Sequence, residues 1–190
     1  MIAGSARGRR LKVPRGRDTR PTSDRVREAL FSALADAVPG ATVLDCYAGS
    51  GALAIEALSR GAAAAVLVEA DPRAAAVAAE NLARAGVAER ATVVRDDVAR
   101  FCRAPRGGPF DLVFVDAPYA VPLDTLHDQL RDLAAAGGLA PGATVVVERD
   151  RRDPALADPV AAPPPLAHER ARTYGDTVLV YYRVEEPPSA

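Results

Sequence analysis

Residues 42–58, TVLDCYAGSGALAIEAL, leave this chain little choice of fold. Thr42–Cys46 is a β-branched and aliphatic run that reads as a buried strand. Residues 47–51 form a turn of mostly small side chains, and a helix-forming run starts at Ala52. Asp45 stands at the end of the strand. Gly49 and Gly51 let backbone N–H groups come close to a ligand. Strand, Gly-rich turn and helix N-terminus in that order open a nucleotide-binding α/β domain, whose ligand lies beyond the strand's C-terminal end.

The rest of the chain fits such a domain. Residues 2–6 and 10–13 read as a small hairpin, and 14–20 as a loop. Pro21-Thr22-Ser23 opens a helix with Thr22 or Ser23 as its cap. Val26, Leu30, Leu34 and Val38 recur every four residues along it, and Arg20, Arg25 and Arg27 lie off that stripe. Pro39-Gly40 ends it. Strands are expected at 64–68, 91–94, 111–115 and 143–147. Helices are expected from Asp71-Pro72 to about Arg84, around Phe101, and at 123–135. Residues 149–165 are charged and Pro-rich, so a surface loop. Residues 168–173 and 177–183 flank Tyr174-Gly175-Asp176 as an antiparallel hairpin. No internal repeat is present.

The chain therefore divides into a basic arm (1–20), one α/β domain (21–185) and a short tail (186–190). Five strands alternating with helices predict a mainly parallel sheet with helices on both faces, closed by a C-terminal antiparallel hairpin. Asp45, Glu69, Asp97, Asp116 and Glu148 each fall at or just past a strand's C-terminal end. One edge of the sheet is thus lined with carboxylates.

Composition removes several functions. No run of 18 apolar residues exists, so no transmembrane helix is expected. The N-terminus lacks the apolar core of a secretory signal. Cys46 and Cys102 have neither metal-ligand nor disulfide spacing, and His127 and His168 are isolated. No metal site is expected, and a reducing cytoplasm fits best. The net charge of −1 hides an asymmetry: residues 1–30 carry nine basic and three acidic side chains, a net +6, leaving −7 for the other 160. A basic arm on an acidic body suits a phosphate-rich partner, nucleic acid above all.

Gly49-x-Gly51-x-x-Ala54 satisfies the dinucleotide pattern, with Glu69 eighteen residues after Gly51. That pattern fits NAD and S-adenosylmethionine alike. Asp45 ahead of the turn favours a ligand carrying an ammonium group, because a pyrophosphate would be repelled there. The expected C-terminal hairpin also departs from the dinucleotide fold, which would continue with another parallel unit. The fourth strand ends in Asp116-Ala117-Pro118-Tyr119. An exocyclic amino group on a base is a poor nucleophile, because its lone pair is conjugated into the ring. The Asp116 carboxylate and the Ala117 carbonyl can accept its hydrogens and direct the lone pair at an electrophile. Tyr119 can stack on a base swung out of its helix. A capping Asp116 and a packed Tyr119 are the plain alternative.

With these pieces the chain resembles the class I S-adenosylmethionine-dependent methyltransferases. Within them it is most similar to the bacterial small-subunit ribosomal RNA guanine-N2 methyltransferases (RsmD type), which act on 16S rRNA. The resemblance rests on IAGSARGRRL, RPTSDRVREALF, LDCYAGSGALAIEALSRGA, VEAD, VDAPY and TYGDT, nearly end to end. It implies that Asp45, Tyr47, Ala48, Gly49, Ser50 and Gly51 hold the methionine part of the cofactor, with Thr22 lining the pocket. Glu69 with Ala70 would take the ribose, and Asp97 with Val98 the adenine. Asp116, Ala117, Pro118 and Tyr119 would hold the guanine amine, with Asp116 also facing the cofactor.

Arg7, Arg9, Arg10, Arg20, Arg25 and Arg27 would meet rRNA. The resemblance further implies a monomer acting on the small ribosomal subunit, without metal or membrane. It assigns no role to Tyr174-Gly175-Asp176. The family's Asp-Pro-Pro-Tyr/Phe stands here as Asp-Ala-Pro-Tyr, which keeps the carbonyl at 117 but frees its φ. The strand containing Ile2 is expected to be short. An adenine-N6 methyltransferase, a non-catalytic RNA-binding assembly factor of the same fold and, last, an NAD-dependent oxidoreductase are the rival readings.

Overall fold

A computed structural model describes residues 1–13, 24–157 and 162–185. Seven strands form one sheet: β1 (Thr42–Cys46), β2 (Ala64–Val68), β3 (Ala91–Val94), β4 (Phe110–Val115), β5 (Leu139–Asp150), β6 (Leu166–Tyr174) and β7 (Thr177–Val184). Their order is β3-β2-β1-β4-β5-β7-β6. The first five run parallel, and β7 joins β5 antiparallel with β6 outside it. The parallel sheet and the closing hairpin are as expected.

Side chains leave successive strand residues on opposite faces, and the core follows that alternation. Val43, Leu112, Phe114, Val146, Leu179 and Tyr181 face one layer of helices: α1 (Asp24–Ala33), α2 (Ala52–Ser59) and α3 (Pro72–Ala85). Leu44, Val113, Val115, Val145, Val147, Val180 and Tyr182 face α4 (Val98–Arg103) and α5 (Leu123–Ala135). Phe31 of α1 meets Phe114 with ring centroids 5.7 Å apart. The α1 stripe reaches the core as expected, although α1 ends at Ala33. Beyond it Leu34 and Val38 stay buried in a turn that Pro39 terminates. The expected caps, Thr22 and Ser23, lie outside the described residues.

Three expectations need correction. Residues 2–6 and 10–13 are not paired strands; the described N-terminal segment is a loop containing one 3-10 turn, Gly4–Ala6. Besides local bonds such as Gly8 N–H to the Met1 carbonyl at 3.0 Å, it is held by distant residues that local alternation could not reveal. The carboxylate of Glu56, fully buried in α2, accepts from the N–H groups of Ile2 (2.9 Å) and Ala3 (3.0 Å). Ser59 accepts from Ala6 N–H at 2.9 Å and donates to the Ala3 carbonyl at 2.6 Å. Gly4, at φ +75°, lies so close to Ser59 that a Cβ there would sit 1.8 Å from its carbonyl oxygen. Further on, Asn81 of α3 exchanges hydrogen bonds with Lys12 backbone N–H and C=O at 2.8 and 3.0 Å.

The second correction concerns β5, which extends past residue 147 because antiparallel β7 continues to pair with it through Asp150. Arg149 is therefore a strand residue, 3% exposed, and not the start of a surface loop. The third concerns Arg27, which lies off the apolar stripe yet is buried, its guanidinium 2.6 Å from the carboxylate of Asp24 one turn earlier.

No helix among the described residues is long and apolar enough to cross a membrane. Replacing Glu56 by Ala removes the acceptor for two backbone donors and strands Arg60, its partner at 2.8 Å. Such a change is expected to cost about 2–4 kcal/mol in urea unfolding. A loss below about 0.5 kcal/mol would show that the first residues do not dock on α2.

Candidate active site

The chain lays down β1, β2 and β3 outward, then returns to place β4 against the other side of β1. Strand order reverses between β1 and β4, and the crevice at their C-terminal ends is where an open α/β sheet binds its ligand. Asp45 and Asp116 flank that crevice.

Turn 47–51 is shaped by three left-handed residues, Tyr47, Gly49 (φ +55°) and Gly51. Gly51, at φ +77°, is the N-cap of α2, and a Cβ there would meet Leu67 Cδ2 at 2.9 Å. Tyr47 adopts φ +60° despite its side chain, a conformation costing about 1–2 kcal/mol. Its hydroxyl donates to Gln129 of α5 at 2.8 Å, which fixes the ring against the far layer. A glycine N-cap offers no side-chain acceptor to the helix. Asp45 supplies one from β1 instead, accepting from Ala54 N–H at 3.0 Å. Glu69, at the end of β2, accepts from Gly49 N–H and from Asp71 N–H, each at 2.8 Å. Asn81 accordingly ties the same turn to the N-terminal segment, donating to the Ser50 carbonyl at 2.9 Å.

Asp45 is 1% exposed. Burial lifts its carboxyl well above the usual range, the Ala54 N–H opposes this, and the charges of Asp116 and Glu69 lift it further. Three carboxylates thus converge on a crevice whose innermost member is short of positive charge. A ligand bearing an ammonium group and a second cationic centre matches that deficit.

The expected site residues divide by position. Tyr47, Ala48, Gly49, Ser50 and Gly51 form the turn, and Ala48 N–H donates to the Val68 carbonyl at 3.0 Å. Ala70 is exposed just past β2, while Asp97 caps α4 by accepting from Arg100 N–H at 3.1 Å, with Val98 buried beside it. Asp116 is half-buried, Ala117 buried, and Pro118 exposed. Tyr119 shows 42% of its surface to solvent. Partial burial raises its phenol, a hydrogen bond with Thr177 opposes this, and the charges of Glu148, Asp116 and Asp150 raise it further.

Thr177 begins β7 opposite Asp150, so the TYGDT turn stands on the carboxylate-lined edge beside Tyr119. That placement, together with Gln129 and Arg149, was not visible in the sequence; for Arg149 the sole local signal was an Asp four residues later.

Of the arginines expected to meet nucleic acid, Arg7, Arg10 and Arg25 are exposed. Arg9 is exposed as well, but its guanidinium donates to the Arg84 carbonyl at the end of α3. Arg27 is turned inward, as described. Arg20, like Thr22, lies outside the described residues.

Residues 1–183 match the model of the family described as Conserved hypothetical protein 95. The ribosomal RNA small subunit methyltransferase D of Escherichia coli is 44% identical over 152 residues, covering 79% of this chain and 74% of that protein. A putative rRNA methyltransferase, YlbH of Bacillus subtilis, is 35% identical over 189 residues, covering 96% and 97%. Among solved structures, the putative methyltransferase yhhF of E. coli superposes with a TM-score of 0.82 at 38% identity, covering 98% of each chain. An RNA methyltransferase of Salinibacter ruber in complex with S-adenosyl-L-homocysteine shares the fold at 21% identity, with a TM-score of 0.64 and coverage of 89% and 96%.

The raised carboxyl of Asp45 has a signed consequence. The buried charge opposes folding at neutral pH, and that opposition is relieved as pH falls through the raised folded-state value towards the ordinary range near about 4. Asp45→Asn, which keeps an acceptor for Ala54, is expected to raise Tm at pH 8 by about 2–4 °C. The gain should shrink on acidification, as thermal melts at pH 8 and pH 5 would show; a gain that grew at pH 5 would contradict the burial argument.

Proposed function

The chain belongs to the Conserved hypothetical protein 95 family, that of ribosomal RNA small subunit methyltransferase D, and we propose that it transfers a methyl group from S-adenosylmethionine to the exocyclic N2 of a guanine in 16S rRNA of the small ribosomal subunit. One observation carries the reading. The turn after β1 and the Asp116-Ala117-Pro118-Tyr119 end of β4 flank the same switch point, close enough for the charge of Asp116 to act on Asp45.

The residues present fit the cofactor. Asp45, desolvated and crowded by like charge, gains from an ammonium group, and Tyr47, Ala48, Gly49, Ser50 and Gly51 bring backbone to the methionine part. Glu69 with Ala70 takes the ribose and Asp97 with Val98 the adenine; Thr22, also assigned to the cofactor, lies outside the described residues. When bound, S-adenosylmethionine supplies an electrophilic methyl group on a sulfonium sulfur.

The chain's own work is to make a weak nucleophile competent. Asp116 and the Ala117 carbonyl accept the two amine hydrogens, which turns the nitrogen lone pair out of conjugation and towards the cofactor side of the crevice. The Asp116 carboxylate stabilises positive charge developing on that nitrogen and takes up its proton, or passes it to water. Tyr119 presents an exposed ring on which an unstacked base can lie. Arg7, Arg10, Arg20 and Arg25 supply phosphate contacts that position the RNA without reading its sequence. The protein works in this reading as a monomer in the cytoplasm, without a metal.

Asp116→Ala is expected to lower methyl transfer at least about a hundredfold. Its S-adenosylmethionine Kd by calorimetry should stay within about threefold, since Asp45 and the turn at 47–51 carry most of the proposed cofactor contacts. Mass spectrometric mapping of small-subunit particles and of free 16S rRNA identifies the product. Methylation of an adenine N6 in place of guanine N2 would overturn the substrate assignment, and absence of cofactor binding by the parent protein would overturn the enzyme.

A further inference from the structure

The tetrapeptide continues into a loop that an arginine from the neighbouring strand holds in place. Pro118 to Val121 close a tight turn, with Val121 N–H donating to the Pro118 carbonyl at 2.8 Å. Arg149 lies on β5, two residues past Val147, the partner of Val115 at the end of β4. Its side chain is 3% exposed. Nη1 donates to the Val121 carbonyl at 2.7 Å, Nη2 to the Tyr119 carbonyl at 3.4 Å, and Nε to Asp153 Oδ2 at 2.7 Å. Asp153, itself held by its N–H to the Asp150 carbonyl at 3.0 Å, provides the countercharge.

A planar guanidinium that reaches two carbonyls of one loop fixes the orientation of two peptide planes at once, which an ammonium group cannot do. A buried cation also resists leaving its partners, because unpaired it would remain desolvated. This matters here because Ala117 leaves its own φ unrestricted. Tyr119, whose carbonyl Arg149 grips, carries the ring most exposed among the described aromatic residues. Without a brace, that ring would sweep a range of positions relative to Asp116.

We infer that Arg149 is a positioning residue of the transfer site: it sets the loop following Asp116 so that the Tyr119 ring and the two amine acceptors keep one geometry. The inference rests on the proposed role of Asp116 and Tyr119, but the hold on the loop is measurable without any substrate.

Hydrogen–deuterium exchange of the full chain, read on peptides spanning residues 117–122, compares the parent with Arg149→Met and Arg149→Lys. Exchange in that segment is expected to quicken about tenfold or more in Arg149→Met, with partial recovery in Arg149→Lys and little change in β1 to β3. On small-subunit rRNA, kcat should fall about tenfold or more in Arg149→Met and recover in part in Arg149→Lys. The Kd for S-adenosylmethionine should remain within about twofold, a split that a general loss of structure would not give.

Unchanged exchange at 117–122 overturns the inference. So does a fall in kcat matched by an equal loss of cofactor affinity with exchange rising across the whole sheet. Faster exchange at 117–122 in Arg149→Met, with a parent protein that methylates no rRNA, would leave Arg149 as the loop's brace and remove the proposed function.

Discussion

A carboxyl group held at the C-terminal end of β1, out of reach of water, is the constraint on which this molecule's architecture turns. Among the described residues Asp45 has one backbone N–H, that of Ala54, to offset its desolvation, and two further carboxylates close enough to oppose it. Keeping Ala54 within reach requires α2 to begin immediately after a turn with left-handed residues at 47, 49 and 51. Keeping the turn in that form requires Gln129 from the opposite helix layer, Glu69 from the next strand and Asn81 from α3. The turn is thus assembled from both faces of the sheet. The helix dipole of α2 adds a weaker favourable field at the same point. What remains uncompensated in the protein alone is what a cationic ligand can satisfy.

The two halves of the sheet divide the work. The half made of β1, β2 and β3 carries the turn and the residues assigned to the cofactor. The half made of β4, β5 and the closing hairpin carries the proposed amine acceptors, the exposed Tyr119 ring and Arg149. The seam between them is the β1–β4 ladder, where partners such as Cys46 and Val115 hold both halves to one register. Charge follows a similar division of labour: acidic groups gather at the crevice, whereas Arg7, Arg10 and Arg25 stand exposed towards solvent.

Much of this was legible because strand and helix periods are local. β1 and β2 are buried on both faces, and the elements are bounded by Gly, Pro or a capping Asp, so β1, β2, the edge strand β3 and α5 fall where their patterns place them. The carboxylates at the strand ends follow from the same reasoning. What was illegible depends on partners remote in sequence. The first thirteen residues have a strand-like pattern, but Glu56, Ser59 and Asn81 decide their form. Arg149 looks like solvent-facing charge until antiparallel β7 extends β5 and carries it inside. Arg27 looks exposed on a helical wheel, which takes no account of Asp24 one turn away. The TYGDT turn had no function in sequence terms because only the sheet order brings it beside Tyr119.

The docking of the N-terminal segment on α2 and α3 also bears on how the chain is made. Its hydrogen bonds to those helices span 53 to 75 residues of sequence. Residues 1–13, made before α2 and α3, therefore wait, unsatisfied and positively charged, until those helices have emerged and packed against β1 and β2. Loop closure over such a span is entropically unfavourable until that surface exists. The arm's attachment is accordingly a late event in biogenesis, and a nascent chain interrupted before residue 81 would present a free polycation rather than a seated one.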